Sequence, residues 1–303
     1  MTDEPITICM DVIDRCNLRC PSCYHGIYGG GKGKSSILDM PIAKRALEHI
    51  TKYFNVSDFH AYNWGEVLLC KNLKEYVDLF AQFPQLKLIM SSNMNAKIDR
   101  TLPEQILPNI DVFTFSVSGL QQSVYEKYHR GGNIKKVIKN IDLFLNAREK
   151  MNAKTHFQFA FGKNLHNTLE MEKLQNYAIQ NGIGFVPLRY YLTDVQEVYK
   201  VYKGECIPKE RYNLFNSSIH ELRNEILDSL TPYTCPVLKT WIVLDCQCNI
   251  MTCCCTKIST GVSIFNIKNA EELAEARMNN TFCKMCFESG IYGYFFNQST
   301  NKD

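Results

Sequence analysis

From residue 6 to about residue 190, short runs rich in β-branched and aromatic residues alternate with longer stretches whose apolar positions recur at helical spacing. The runs predict strands at 6–13, 57–63, 86–91, 111–117, 155–161 and 183–189. The intervening stretches predict helices near 39–53, 72–82, 103–108, 121–148 and 168–181. Six β/α repeats joined by short loops imply a parallel sheet with helices outside, curved into a partial (β/α)6 TIM-like barrel of the α/β class. In such folds the chemistry sits on loops at the C-terminal ends of the strands.

Beyond the sixth repeat the pattern changes. Residues 190–208 form a mixed, Tyr-rich connection, and 213–230 predict a bridging helix. From Thr231 onward regular periodicity is weak, and eight of the fourteen cysteines fall between there and Cys286. The expected organisation is a barrel unit at 1–230, bridging helix included, followed by a small irregular Cys-rich domain at 231–303.

Composition narrows the functional classes. Apolar residues make up 45% of the 303 residues and charged residues 21%, enough to bury a substantial core. The net charge of +3 is small, and basic residues are interleaved with acidic ones, so charge implies neither nucleic acid nor a membrane surface as partner. The acidic start Met1-Thr-Asp-Glu-Pro runs into a strand pattern without a secretory signal, and no run is long enough to cross a bilayer. Many cysteines without an export signal point to a reducing, cytoplasmic setting and to metal rather than disulfides.

The loop after the first strand holds Cys16-Asn-Leu-Arg-Cys20-Pro-Ser-Cys23. Three thiolates on one loop can hold three corners of a [4Fe–4S] cluster and leave the fourth iron open for chemistry. The spacing C-x3-C-x2-C behind a first strand resembles the signature of the radical S-adenosylmethionine (SAM) enzymes. That resemblance implies a SAM-binding [4Fe–4S] cluster on Cys16, Cys20 and Cys23. It further implies that Glu66, in Asn63-Trp64-Gly65-Glu66 after the second strand, takes the methionine ammonium, as an anionic acceptor suits. Ser91 and Asn93 after the third strand would touch the ribose. Ser116 and Ser118 after the fourth strand belong to a stretch that continues through Tyr125 to Arg130, whose guanidinium would pair with the methionine carboxylate. Tyr24 would lie beside the adenine. Each also has an ordinary reading: a helix-capping turn for Gly65-Glu66, turn chemistry for Ser91–Asn93, a solvated helix-end arginine for Arg130. The glycine-rich stretch from Gly26 to Ser35 lacks the spacing of a phosphate loop, which leaves a flap over the cofactor or a plain loop.

The second cysteine field offers Cys235, Cys253 and the pair Cys283/Cys286 as four thiolates of a closed site, suited to electron transfer or structure. It resembles the twitch domain, the shortened relative of the SPASM extension, which holds one auxiliary [4Fe–4S] cluster. In that comparison Cys248 stands where the family has glycine, and Cys246, Cys254 and Cys255 are rival ligands. A zinc knot is the alternative occupant. Cys254 and Cys255 are also candidate hydrogen-atom donors to a substrate radical.

By resemblance, then, the chain cleaves SAM reductively to a 5′-deoxyadenosyl radical that takes hydrogen from a substrate C–H. The auxiliary cluster favours oxidation of a sugar, an aminocyclitol or a similar small molecule, with an external reductant such as flavodoxin or ferredoxin. Epimerisation and peptide modification are the alternatives within the family. A non-catalytic iron–sulfur or zinc scaffold, or an electron carrier, is the alternative outside it.

Overall fold

A computed structural model describes residues 5–29, 36–232 and 234–296. Strand β1 (Ile6–Met10) is followed by a short helix α1 (Tyr24–Ile27) and by α2 (Met40–Tyr53). Residues 30–35 of the flap reading lie outside the described residues. The repeats continue with β2 (Val56–His60), α3 (Leu73–Phe80), β3 (Lys87–Ser92), α4 (Leu102–Ile106) and β4 (Val112–Ser116). Next come α5 (Gln122–Tyr128), α6 (Ile134–Met151), β5 (His156–Lys163), α7 (Thr168–Gln180) and β6 (Gly184–Arg189). The six strands pair in parallel in sequential order, β1 beside β2 through to β5 beside β6, and the sheet does not close. The fold is the expected partial barrel.

Three departures have local causes. The single helix expected over 121–148 is two helices, because Gly131 takes φ +85° and Asn133 then caps α6 by accepting from the Lys136 amide. The mixed connection contains α8 (Val195–Tyr202), started by Asp194, whose carboxylate accepts from the Gln196 and Glu197 amides. The bridging helix is shorter than expected: α9 (Ile219–Asp228) begins at its Ser218 cap.

The cysteine-rich portion holds α10 (Val237–Thr240), β7 (Trp241–Leu244), β8 (Asn249–Met251), β9 (Ser259–Ser263), α11 (Ala270–Met278), α12 (Thr281–Ser289) and α13 (Gly293–Phe296). β7 pairs in parallel with β1, from Thr7 opposite Trp241 to Met10 opposite Leu244. β8 and β9 extend the same sheet antiparallel, giving the order β6-β5-β4-β3-β2-β1-β7-β8-β9. Packing of helices on the sheet is apolar and tight. Phe144 of α6 lies 4.7 Å from Phe113 on β4, and Phe115 lies 5.1 Å from Phe157 on β5. All four are fully buried, and each such side chain stabilises the fold by about 2–3 kcal/mol.

Candidate active site

The cysteine loop leaves the C-terminal end of β1 and is folded by its own backbone. The Cys23 amide donates to the Cys20 carbonyl at 3.1 Å, and Gly26 comes so close that a Cβ there would lie 1.8 Å from the same oxygen. The Arg19 amide donates to the Arg130 carbonyl at 3.0 Å, tying the loop to the turn after α5. Burial pushes the Cys16 thiol up to about 12, with Glu66 adding to it, and the Cys23 thiol up to about 11; Cys20 is raised as well, first by burial. Sulfurs in such surroundings become thiolates when a metal supplies the compensating charge, so the donor set fits an iron–sulfur cluster. Among the described residues, no three or more His, Cys, Asp or Glu side chains gather around a single point as ligands of one ion do.

The neighbouring strand ends converge on this loop. Asp11, one residue past β1, is 5% exposed and accepts from the amides of Asn63 (2.7 Å), Trp64 (3.0 Å) and Gly65 (2.9 Å). It thereby fixes the turn that carries Glu66. Gly65 is required there, since a Cβ would sit 1.6 Å from the Ile13 carbonyl oxygen. Glu66 is buried and accepts from the Ser92 hydroxyl (2.6 Å), the Asn93 amide (2.7 Å) and the Leu68 amide (3.1 Å). Burial still raises its carboxyl above the usual range, against these three donors. Asn93 in turn donates from Nδ2 to Asn17 Oδ1 at 3.0 Å, reaching the cysteine loop from β3. The next residue, Met94, takes φ +56° and is held by Ser92 Oγ on its amide and by Asn140 Nδ2 on its carbonyl. A left-handed non-glycine residue costs on the order of 1 kcal/mol and marks a tightly specified strand end.

Cys16, Cys20, Cys23, Glu66, Ser91, Asn93 and Ser116 all line one open cavity of about 2400 Å³. Three other residues singled out from the sequence stand differently in space. Ser118 is fully buried behind the wall, hydrogen-bonded to His129 Nδ1 at 2.8 Å. Arg130 meets the cysteine loop through its carbonyl, and its side chain is exposed. Tyr24 lies outside the cavity lining, with its ring 5.6 Å from Trp64 and the Lys257 ammonium 5.1 Å over its face. The wall also contains residues that sequence reasoning missed. Tyr128 and Tyr190 stack at 3.5 Å between ring centroids, with Tyr128 OH 3.1 Å from Ser22 Oγ. Gly162 permits this, because a Cβ there would lie 2.0 Å from Tyr190 Cζ. A glycine ending an otherwise bulky strand was the available signal. For Asp11 it was a lone carboxylate inside an apolar run.

The loop after β4 is held from α7. Glu170 accepts from the Leu120 amide (2.7 Å) and the Gln121 amide (2.9 Å), and Lys173 pairs with its other oxygen at 2.7 Å. Burial raises this carboxyl, but Lys173 and the two amides outweigh it and hold it below its ordinary value of 4.5. A folded-state value below the unfolded one means stabilisation that is present above about pH 4.5 and is lost as pH falls through the folded value. Glu170→Gln is expected to flatten that acid limb, as read from the melting temperature measured against pH. An unchanged acid limb would show that this carboxylate does not control the loop.

Cys235, Cys253, Cys283 and Cys286 line a second, enclosed pocket together with Cys255 and Arg277. Cys283 and Cys286 lie one turn apart on α12, whose first amides are capped by Asn280. The pocket is narrow, with about 30 Å³ of free space, and its four sulfurs are the donor set that an iron–sulfur cluster or a zinc ion takes. Of the rival sulfurs, Cys246 faces the Asp11 carbonyl at 3.5 Å and Cys254 packs with Cys9, Val243 and Met251. Neither Cys254 nor Cys255 lines the open cavity. Cys248, in the position compared with glycine, has φ +60°. The two cysteine fields are joined through one segment: the Thr193 amide donates to the Ser22 carbonyl at 3.3 Å and the Val195 amide to the Cys255 carbonyl at 3.1 Å.

No protein-family model and no curated protein sequence matches this chain. Solved structures do match. Streptococcus suis SuiB bound to precursor peptide SuiA is 14% identical, with a TM-score of 0.62 over 99% of this chain and 74% of that one. SuiB bound to S-adenosylmethionine is 14% identical at a TM-score of 0.60, over 99% and 75%. The structure of anSMEcpe with AdoMet and the Cp18Cys peptide is 14% identical at 0.58, over 93% and 83%. At these identities the likeness is one of fold.

Proposed function

The chain has the fold of the radical SAM enzymes, and from that premise we propose that it cleaves SAM reductively and oxidises a substrate at a C–H position. The observation that carries this reading is the convergence of Cys16, Cys20, Cys23, Glu66, Ser91, Asn93 and Ser116 on one cavity at the C-terminal strand ends. Cys16, Cys20 and Cys23 hold the SAM-binding [4Fe–4S] cluster, and three sulfurs leave one metal corner without a protein ligand. With SAM bound, that cluster supplies one-electron cleavage of the sulfonium and hydrogen-atom abstraction from the substrate. Asp11 and Glu66 keep the second and third strand ends at the spacing the cofactor needs. Ser91 and Ser116, whose hydroxyls lie 3.5 Å apart, offer donors to the ribose. The Tyr128–Tyr190 stack closes the wall against water and quenchers. Cys235, Cys253, Cys283 and Cys286 would hold a second cluster, which would supply an acceptor for the electron that an oxidation releases. The protein works in the cytoplasm with a flavodoxin- or ferredoxin-type donor.

The substrate has two readings. A sugar or aminocyclitol follows from the resemblance of the cysteine pattern. A peptide is supported by the open cavity of about 2400 Å³, larger than the roughly 300–1,000 Å³ of ordinary ligand pockets, part of which the cluster and SAM would fill. Two of the similar structures carry peptides, which supports the same reading. Anaerobic reconstitution tests the function. About eight irons per chain are expected from two four-iron clusters, with 5′-deoxyadenosine formed once a reductant is added. The double variant Cys235→Ala/Cys283→Ala is expected to keep about four irons and to go on cleaving SAM. A colourless chain that never yields 5′-deoxyadenosine overturns the proposal.

A further inference from the structure

Arg277, on the inner face of α11, is fully buried. Its donors go to four main-chain carbonyls: Nη1 to Val237 (2.5 Å) and Leu238 (2.9 Å), Nη2 to Trp241 (2.7 Å), and Nε to Met251 (3.3 Å). These oxygens come from α10, the start of β7 and the end of β8, the elements that frame the four-sulfur pocket. The strongest electrostatic influences on the guanidinium come from cysteine sulfurs, namely Cys253, Cys283, Cys235 and Cys254. Among the described residues no carboxylate pairs with it.

A guanidinium sealed from water and faced only by neutral carbonyls carries an uncompensated charge, which costs several kcal/mol unless an anion sits beside it. Among the described residues, the place for such an anion is the pocket that Arg277 itself lines. Arginine suits the position because its planar fork satisfies several carbonyls at once and never loses its proton. Lysine would offer a point charge with three donors.

Resting on the reading that Cys235, Cys253, Cys283 and Cys286 hold a four-iron cluster, we propose that Arg277 is the fixed counter-charge of that site. Its charge raises the cluster's reduction potential. Adding an electron adds one negative charge to the cluster, and a permanent cation at its edge stabilises the reduced form more than the oxidised one. The chain thus biases this site toward accepting an electron. Arg277 acts through the cluster as a positioning and tuning residue, touching no substrate.

The test is a redox titration, monitored by electron paramagnetic resonance, of the reconstituted full chain in a Cys20→Ala background, where the first cluster gives no signal. Arg277→Gln is expected to lower the reduced fraction, taken relative to the oxidised, about tenfold at a fixed potential, a fall in midpoint of about 59 mV for a one-electron couple. Arg277→Lys, which keeps the charge, is expected to shift that fraction less than about threefold, under about 30 mV by the same constant. If Arg277→Gln retains its iron and its midpoint is unchanged, the residue only staples carbonyls and the proposal fails. If the Cys20→Ala parent itself binds no iron, the cluster reading fails instead.

Should Arg277→Gln not fold, the parent still decides. Arginine does not titrate, so the midpoint is expected to stay flat between about pH 6 and about pH 9. A slope near 59 mV per pH unit would assign the compensating charge to a titrating neighbour and overturn the proposal. The neighbours in question are Asp194, Cys254, Cys255 and Tyr292, which sit against the same sulfurs.

Discussion

Cys20→Ala is expected to release about four of about eight irons per chain and to end 5′-deoxyadenosine formation, while the fold survives. Two sulfurs cannot anchor a cube that normally has three, and no fourth thiol stands on the loop: Cys9 donates to the Tyr62 carbonyl and Cys246 faces Asp11 and Ser36. The fold is spared because the loop's shape rests on the Cys20 and Cys23 main chain and on the Arg19–Arg130 backbone bond, none of which uses the side-chain sulfur. Loss of a partly buried sulfur costs on the order of 1 kcal/mol. Iron analysis, chromatographic detection of 5′-deoxyadenosine and the melting temperature check the three parts separately. A Cys20→Ala chain with full iron and undiminished cleavage would remove Cys20 from the cluster.

Asp11→Ala is expected to be the most damaging change at a position outside the sulfur ligands. It leaves the amides of Asn63, Trp64 and Gly65 without their acceptor in a buried turn. An orphaned buried donor costs about 1–3 kcal/mol, so the three together remove on the order of 3–9 kcal/mol. The turn also carries Glu66, whose bonds reach Ser92 and Asn93, so the loss spreads to the third strand end. The melting temperature should fall by on the order of 10 °C, and SAM affinity by at least tenfold, measured by calorimetry on the reconstituted protein. Asp11→Asn, which keeps one acceptor oxygen, should fall in between. Equal stability of Asp11→Ala and the parent would mean that water takes over the three amides.

The six barrel strands were legible as short runs rich in β-branched and aromatic residues, some of them alternating more and less buried positions as β3 and β5 do. Residues 111–117, for instance, became β4, which buries Phe113 and Phe115 on the helix side. β7 was not legible. Trp241-Ile-Val-Leu is a four-residue run, and its pairing with β1 joins positions far apart in sequence, which no local periodicity reports. The break between α5 and α6 was written in the Gly131–Gly132 doublet, where the helical pattern on either side concealed it.

Within the candidate site, residue type proved readable and side-chain direction did not. Glu66, Ser91 and Asn93 line the cavity. Glu66 does so while fully engaged with its neighbours, an arrangement that tertiary packing alone decides. Arg130 illustrates the same limit, since its contact with the cysteine loop runs through a carbonyl that any residue could supply. Cys248 is the converse case. Comparison with a glycine position anticipates a left-handed backbone, and its φ of +60° is the value glycine adopts most cheaply.

The lateral bond between β1 and β7 has a mechanical consequence. Four consecutive residue pairs clasp the front of the chain to its rear, and the strap from Thr193 to Val195 adds a second clasp between the same two portions. A gate that swung the rear portion outward would have to break both fastenings at once.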